Sequence, residues 1–305
     1  MRVAQRSLLT IVLLLGATAA SVLLLVLALA PILLWSAQAP ETMMPEQSVA
    51  KGKQILGELI NALGGPGYTE VHESLCQGRR ALFGHNGELT GYIDFNDYRR
   101  YPDKDRTEYI GKGRNTLLAA LIGVDGLDFA RGGIIITVYN GDHGWTLDRS
   151  GVSELPAASV ADFQEQVKRS IDNLLRLRRK EPGMAIRFGG SDTVDLKQVD
   201  WVELTDSEGR AFRLAVDRST HFLVRSTVIT KDEKNQQINE DVTIYTNYQL
   251  KDSVWTPLQI SREHNGRRTA QIFYDTCRFN PGFPDELFTK ASLEKRGSEI
   301  GIKKK

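Results

Sequence analysis

Apolar residues are concentrated at the start of the chain, where residues 8–35 are almost wholly hydrophobic and residues 7–40 carry no charge. A run of this length meets the requirement of about 20 apolar residues for a membrane-spanning helix. Arg2 and Arg6 are the only charges before it, so the positive-inside tendency places the rest of the chain across the membrane. We therefore predict that residues 1–39 are a signal peptide or a signal-anchor transmembrane helix, followed by a linker at residues 40–46.

Two fates remain open for this segment. Ala37-Gln38-Ala39 has the small-x-small pattern that precedes signal-peptide cleavage. Pro40, directly after that pattern, disfavours cleavage. A retained segment would anchor the protein on the periplasmic side of the inner membrane, and a cleaved segment would release it into the periplasm.

The pattern after the linker changes from a helical period to a strand period. Apolar residues at i, i+3 and i+4 predict an amphipathic helix over residues 47–63, which Gly64-Gly65-Pro66 ends. Short β-like runs follow at residues 68–76, 79–85, 88–95 and 105–110. Asn86-Gly87 is a hairpin signal between two of these runs. This part reads as an antiparallel meander.

The middle of the chain combines an apolar segment, a strand pair and a second helix. Residues 116–129 are rich in leucine and isoleucine and are expected to form a short helix or a lid. Residues 133–139 and 143–148 are expected to be strands. The second helix is predicted over residues 159–180, with Ser159 as its N-cap. Its apolar stripe consists of Val160, Phe163, Val167, Ile171, Leu174 and Leu175.

The last third shows the clearest β pattern, with several segments alternating between apolar and polar positions. Six consecutive strands are predicted, at residues 199–205, 210–217, 221–230, 241–249, 254–264 and 267–279. A long run of antiparallel strands with few helices predicts an α+β protein, mostly antiparallel β, in which a curved incomplete β-barrel is covered by helices. We place this domain at residues 47–291 and a polar basic tail at residues 292–305.

Charge and cysteine content limit the classes of function. Without Arg2 and Arg6 the chain has 37 basic and 38 acidic residues, so nothing favours nucleic-acid binding. Cys76 and Cys277 are the only cysteines. An exported protein can form disulfides, so the two are a candidate pair, although the sequence alone also leaves the unpaired state open.

No motif predicts catalysis or metal binding. The five histidines lack the spacing that would bring two ligands to one ion. Asp142-His143 lies in a glycine-containing turn, where aspartate is also a common turn former. Gly189-Gly190-Ser191-Asp192 lacks the nucleophile-elbow pattern of serine hydrolases and is expected to be a turn. We therefore predict a protein that is not an enzyme and needs no cofactor or metal.

The order of elements resembles the periplasmic lipoprotein-carrier family, the LolA-like and LolB-like proteins, over most of residues 47–291. Four local stretches carry the likeness, together with the ending Asp285-Glu286-Leu287-Phe288. These stretches are the first helix at residues 55–65, the strand-turn-strand at residues 139–145, the turn and strand at residues 217–225, and Asn247-Tyr248 with residues 254–257. The resemblance implies an incomplete β-barrel closed by helices, whose apolar interior receives acyl chains without catalysis. The long apolar N-terminus would suit a tethered protein better than a soluble shuttle.

Two hypotheses for function follow. The first is a binding protein of the cell envelope that holds acyl chains of lipids or lipoproteins in an apolar cavity. Its expected lining comprises a lid of Leu117, Leu118, Leu121 and Ile122, the helix residues Phe163, Val167 and Ile171, and the wall residues Trp145, Trp201 and Tyr92. The second is a membrane-anchored envelope sensor or scaffold with a filled core that acts through a protein partner.

Overall fold

The computed structural model describes residues 43–83, 88–111, 133–231 and 236–301. Within these ranges, thirteen strands form one antiparallel sheet in the order β6-β5-β4-β3-β2-β1-β13-β12-β11-β10-β9-β8-β7. The strands are β1 Glu73–Phe83, β2 Leu89–Arg100, β3 Lys104–Ile110, β4 Ile134–Asn140, β5 His143–Asp148, β6 Gly151–Glu154, β7 Ala185–Val194, β8 Lys197–Thr205, β9 Ala211–Asp217, β10 Leu223–Lys231, β11 Ile238–Lys251, β12 Val254–His264 and β13 Arg267–Phe279.

Five α-helices and two short 3₁₀ helices accompany the sheet in the described part of the chain. They are α1 Pro45–Leu63, α2 Pro66–Thr69, α3 Ala157–Arg169, α4 Ile171–Arg176 and α5 Lys290–Glu299, with 3₁₀ turns at Arg178–Lys180 and Asp285–Phe288. The predicted fold class, mostly antiparallel β in an open curved sheet with helices, is confirmed.

The sheet consists of two meanders that meet at its centre. The first strand, β1, pairs with the last strand, β13, so the chain runs outward from the centre to β6 and returns from the opposite edge at β7. The connection from β6 to β7 must therefore cross from one edge of the sheet to the other. Helices α3 and α4 lie in this connection, so they bridge the gap that keeps the barrel incomplete.

Hydrophobic cores lie on both faces of the sheet. On one face, Leu59 of α1 and Leu174 of α4 are fully buried in a cluster with Phe212 and Leu214 of β9. On the other face of the first meander, α5 and the 3₁₀ turn before it bury side chains against β4 and β5. This second cluster consists of Ile134, Ile136, Val138, Leu147, Phe288 and Leu293.

Most predicted elements are present, with corrections at their ends. The two strands expected at residues 68–76 and 79–85 are one strand, β1, and Tyr68 belongs to α2. A β-bulge after Gln77 lets the strand continue. A Cβ on Gly78 would lie 2.0 Å from the carbonyl oxygen of Phe273, so a residue without a side chain allows this close pairing. Asn86-Gly87 lies outside the described residues, although β1 and β2 pair as the hairpin predicts.

The helix predicted over residues 159–180 is broken at Ser170. Ser170 is extended (φ −62°, ψ 123°), and its side chain accepts a hydrogen bond from the backbone N–H of Asn173, which starts α4 as a new helix. Asn173 in turn donates its side-chain amide to the carbonyl of Val167, 3.1 Å away, which replaces a lost helical bond. The N-terminal prediction was also wrong, because α3 begins at Ala157 after Pro156 rather than after a Ser159 cap.

Two strands, β6 and β7, and two helices, α2 and α5, were not predicted. Strand β6 is only four residues long, and β7 contains Gly189-Gly190, which we expected to form a turn. The pairing of β7 with β8 shifts between Phe188 and Ser191, so the glycines form an irregularity within a strand. Helix α5 places Leu293 in the core, so residues after 291 are in part packed structure rather than a polar tail.

Candidate functional site

A cavity of about 660 Å³ lies between the sheet and the connection that carries α3 and α4. Its walls come from β1–β3 and β10–β13, and its cover comes from α3 and α4. The end of α1 and the short α2 add Leu63 and Tyr68. Because β6 and β7 leave the barrel open, the cavity is the interior of the incomplete barrel.

Helix α3 contributes Phe163 and Val167 of its apolar stripe to this cavity rather than to a packed core. None of its residues is fully buried, whereas Leu174 and Leu175 of α4 are 0% and 1% exposed. Phe163 of α3 stacks on Tyr139 of β4 with ring centroids 4.2 Å apart. Val167 lines the cavity one turn further on. Half-buried apolar residues on an amphipathic helix are typical of a helix that covers a ligand cavity.

Ion pairs hold the C-terminal half of this cover to the sheet. Arg210 of β9's entry turn contacts Glu165 of α3 at 3.0 Å and Asp206 at 3.1 Å. Arg169, at the end of α3, contacts Asp241 of β11 at 3.2 Å. Partial burial raises the pKa of Glu165, but hydrogen bonds and charge from Lys168 and Arg210 outweigh it, so the pKa is lowered. The contacts fix the position of α3 without burying its apolar stripe.

Tyrosines form much of the polar part of the lining. Burial raises the pKa of Tyr245 to about 12, and burial also raises the pKa of Tyr248 and Tyr274. Tyr245 shares a hydrogen bond of 3.0 Å with Ser226, and the Tyr248 hydroxyl donates to the carbonyl of Leu223 at 2.9 Å. These residues are therefore neutral hydroxyl groups inside the cavity at physiological pH.

The guanidinium of Arg176 closes one side of the cavity between two aromatic rings. It lies 4.5 Å from the ring centroids of both Tyr68 and Tyr101, and its Nη2 is 3.4 Å from Asp172. Cation–π contacts of this kind stabilise a desolvated cation. Arg176 thus joins α4 to α2 and to the turn after β2.

A second charged group lies on the wall made by β2 and β3. Asp97 and Arg99 are two residues apart on β2 and so share a face, and Asp105 is opposite Arg99 on β3. Arg99 contacts Asp97 at 2.7 Å and Asp105 at 3.3 Å. The cavity that we expected to be apolar therefore also has charged and hydroxyl groups on part of its wall.

The residues proposed from sequence divide into three groups. Phe163, Val167 and Ile171 line the cavity. The lid residues Leu117, Leu118, Leu121 and Ile122 lie outside the described residues. Three aromatic residues lie away from the cavity. Trp145 packs beside the α5 cluster, Trp201 is in a separate cluster with Val199 and Val224, and Tyr92 is exposed beside Phe273.

Cys76 and Cys277, for which the sequence left both states open, are joined by a disulfide. They are direct cross-strand partners on β1 and β13, the pair of strands at the centre of the sheet. Cys76 also lines the cavity. The bond therefore links the first and last strands of the fold beside the candidate site.

Sequence reasoning missed Asp97, Arg99 and Tyr101, and it placed Asp105 on a strand without assigning that residue to the site. The strand predicted to end at Phe95 left Asp97, Arg99 and Tyr101 in an apparent loop. The available signal was the alternation of Phe95, Asp97 and Arg99, which continues the period of two. A strand extended to Arg100 places all three on one face.

Candidate chemistry elsewhere is limited. Asp142 and His143 form a contact in the turn between β4 and β5, where both side chains are exposed. Among the described residues there is no group of three His, Cys, Asp or Glu side chains that could hold a metal ion. In the described part of the chain, no helix is long and apolar enough to cross a membrane.

Comparison with solved structures shows the fold. No family model matches the sequence, and no curated protein matches it. A DUF1329 family protein from Desulfovibrio piger is similar, with a TM-score of 0.50 and 14% identity over 81% of this chain and 99% of that chain. A domain from Vibrio parahaemolyticus described as an outer membrane lipoprotein-sorting protein is similar, with a TM-score of 0.47 and 13% sequence identity. The match covers 81% of this chain and 99% of that chain. A LolA superfamily protein from Nitrosomonas europaea has a TM-score of 0.48 and 12% sequence identity, over 79% of this chain and 99% of that chain. The likeness to the Desulfovibrio piger protein shows that this chain shares its overall fold.

Proposed function

We propose that this protein is a non-catalytic binding protein of the cell envelope that receives acyl chains of a lipid or lipoprotein in the cavity beneath α3. The observation that carries the proposal is that Phe163 and Val167, in the apolar stripe of α3, line a cavity of about 660 Å³, while no residue of the helix is fully buried. Cavities that bind small ligands have volumes of roughly 300–1,000 Å³. An acyl chain would complete the burial of this stripe.

The energetic basis is hydrophobic. Each methylene group that leaves water for the cavity gains about 0.8 kcal/mol. Ten methylenes therefore gain ~8 kcal/mol, which would correspond to a micromolar dissociation constant before the costs of ordering the ligand are subtracted. Charged and hydroxyl groups on the β2–β3 wall would remain available to the polar end of an amphiphile.

The N-terminal segment and the disulfide support a location in the cell envelope. An apolar run preceded by two arginines predicts export, and disulfides persist in oxidising compartments outside the cytosol. The Cys76–Cys277 bond supports such a compartment. The protein would act on the periplasmic side of the membrane, either anchored by residues 1–39 or released from them.

A charge placed on the lining of α3 tests the proposal. Val167→Asp puts a carboxylate among the apolar lining at a position that is only half-buried, so the helix can still fold. Ala161→Asp is the matched control, because it adds the same charge to an exposed position of the same helix. We expect Val167→Asp to weaken binding of a fluorescent fatty acid by about tenfold or more and Ala161→Asp to leave it unchanged. Equal binding by the two variants would contradict the proposal.

A further inference from the structure

The group formed by Asp97, Arg99 and Asp105 is asymmetric in charge. Two carboxylates share one guanidinium, through the contacts of 2.7 Å and 3.3 Å that Arg99 makes. Among the described residues, Arg99 is the only cation within 4.0 Å of either carboxylate. Arg80, Lys104 and Arg262 also line the cavity without making such a contact. With both carboxylates ionised, the group carries one uncompensated negative charge.

One carboxylate oxygen of this group, on Asp97, has no hydrogen-bond partner among the described residues. The residue is 5% exposed, and its Oδ2 is paired with Arg99. Its Oδ1 is buried and has no hydrogen-bond partner among the described residues. Buried carboxylate oxygens are ordinarily hydrogen-bonded, so an acceptor of this kind on a cavity wall indicates a donor that the protein does not supply.

Asp105 responds to the same excess of charge. Burial is the main cause that raises its pKa from 3.8 to about 7, and the nearby Asp97 carboxylate adds to it. Thr107 donates a hydrogen bond to its Oδ1 at 3.0 Å, and Arg99 contacts its Oδ2. These contacts lower the pKa without outweighing burial. A further positive charge beside this pair would stabilise both ionised carboxylates.

We propose that Asp97 and Asp105 bind the ammonium group of an amphiphile whose apolar chain occupies the cavity beneath α3. This inference rests on the proposed function, because it names the polar end of the same ligand. An ammonium group supplies up to three donors and one positive charge, which matches the unpaired Oδ1 of Asp97 and the excess charge. Charge-assisted hydrogen bonds of this type are among the strongest in proteins.

Neighbouring groups favour an organic cation over a metal ion. A calcium ion takes six to eight oxygen ligands, whereas Arg99 already occupies one oxygen of each carboxylate. Aromatic side chains line the same part of the cavity: Tyr274 packs against Phe95 with ring centroids 5.8 Å apart, and Tyr101 lies close enough to Arg99 to affect its pKa. Aromatic rings beside carboxylates are a typical environment for an ammonium group.

Calorimetric titration with two chain-matched probes tests the proposal on the full chain in nanodiscs, with empty nanodiscs as the blank. Dodecylamine, charged at pH 8, and dodecanol differ at the polar end only. We expect the wild-type protein to bind dodecylamine about tenfold or more tightly than dodecanol. Asp97→Asn should remove most of that preference and leave dodecanol binding within about twofold. Asp275→Asn, the same change at an exposed position of β13, should preserve the preference.

Failure of this inference is distinguishable from failure of the proposed function. Equal affinity of the wild-type protein for dodecylamine and dodecanol would overturn the ammonium site while supporting an acyl-chain cavity. Binding of neither probe would overturn both. This comparison needs no variant, so it holds even if Asp97→Asn fails to fold. Lysophosphatidylethanolamine and its N-acetyl derivative then separate the two sources: preference for the free amine supports a phospholipid headgroup, whereas binding of dodecylamine alone supports a simple amine.

Discussion

Asp105 allows the charged wall of the cavity to be tested through protein stability. Burial and the neighbouring Asp97 raise its pKa to about 7, against 3.8 for an ordinary aspartate. The folded protein therefore holds a proton on this carboxyl at pH values where the unfolded chain has released it. Asp105→Asn replaces the group with a neutral one of nearly the same shape and removes this difference.

The sign and size of the effect follow from proton linkage. Because the pKa is raised on folding, the contribution of Asp105 to stability is complete below about pH 4 and is lost as the pH rises to about 7. A shift of about three pH units corresponds to ~4 kcal/mol over the whole range, at 1.36 kcal/mol per unit. About two of these units lie above pH 5. We therefore expect a loss of at most ~3 kcal/mol between pH 5 and pH 8, reduced by the 19% exposure of the side chain.

Urea unfolding at pH 5 and pH 8 measures this quantity. The difference in unfolding free energy between the wild-type protein and Asp105→Asn should shift by ~1–3 kcal/mol in favour of the variant as the pH rises. Asp275→Asn, on the exposed side of β13, controls for a general loss of charge and should follow the wild-type profile. Parallel profiles for the wild-type protein and Asp105→Asn, within about 0.5 kcal/mol, would refute the buried environment that we assign to this carboxyl.

Three further predictions test the framework of the site. The double change Cys76→Ser and Cys277→Ser removes a link between residues 201 apart, so it should lower the free energy of unfolding in urea by up to ~5 kcal/mol. Reduction of the wild-type protein should have the same effect. No effect of reduction would exclude the disulfide. Gly52→Ala should destabilise by ~1–3 kcal/mol in thermal unfolding, because its Cβ would lie 2.6 Å from the carbonyl carbon of Arg187. Gly57→Ala should stabilise the folded protein by up to ~1 kcal/mol, because the space around Gly57 is open. Equal effects of the two changes would disprove the close packing of α1 on β7. Phe163→Ala should lower the free energy of unfolding in urea by only ~1 kcal/mol, because α3 has no fully buried residue. Leu175→Ala, in the core, should lower it by ~2–5 kcal/mol. The reverse order would show that α3 is a core helix.

The sequence predicts the elements whose periodicity is sustained. Helix α1 carries apolar residues at helical spacing over three turns, and β8–β13 alternate between apolar and polar positions, so local pattern and final structure agree. The placement of Phe163 and Val167 on the cavity follows from the same reasoning. Their stripe is apolar, and the strands offer a curved sheet for it to face.

The elements that were missed depend on contacts between distant residues. The glycines of β7 resemble a turn until β8 pairs with them. The helix break at Ser170 depends on a side-chain cap, and a serine within an apolar helical pattern does not by itself show that it forms one. Asp97 and Asp105 lie on the same cavity wall because β2 continues past Phe95 and pairs with β3. The alternation of Phe95, Asp97 and Arg99 indicates the longer strand, but the register that sets Asp105 opposite Arg99 is not visible in that alternation.

Native mass spectrometry of the exported protein, purified without detergent and followed by solvent extraction, tests the central claim most directly. The account predicts a co-purifying amphiphile with an acyl chain at near one molecule per protein, which Val167→Asp loses and Ala161→Asp retains. A bare protein mass, unchanged when the purified protein is offered lipid, would contradict the assignment of the cavity to acyl-chain binding.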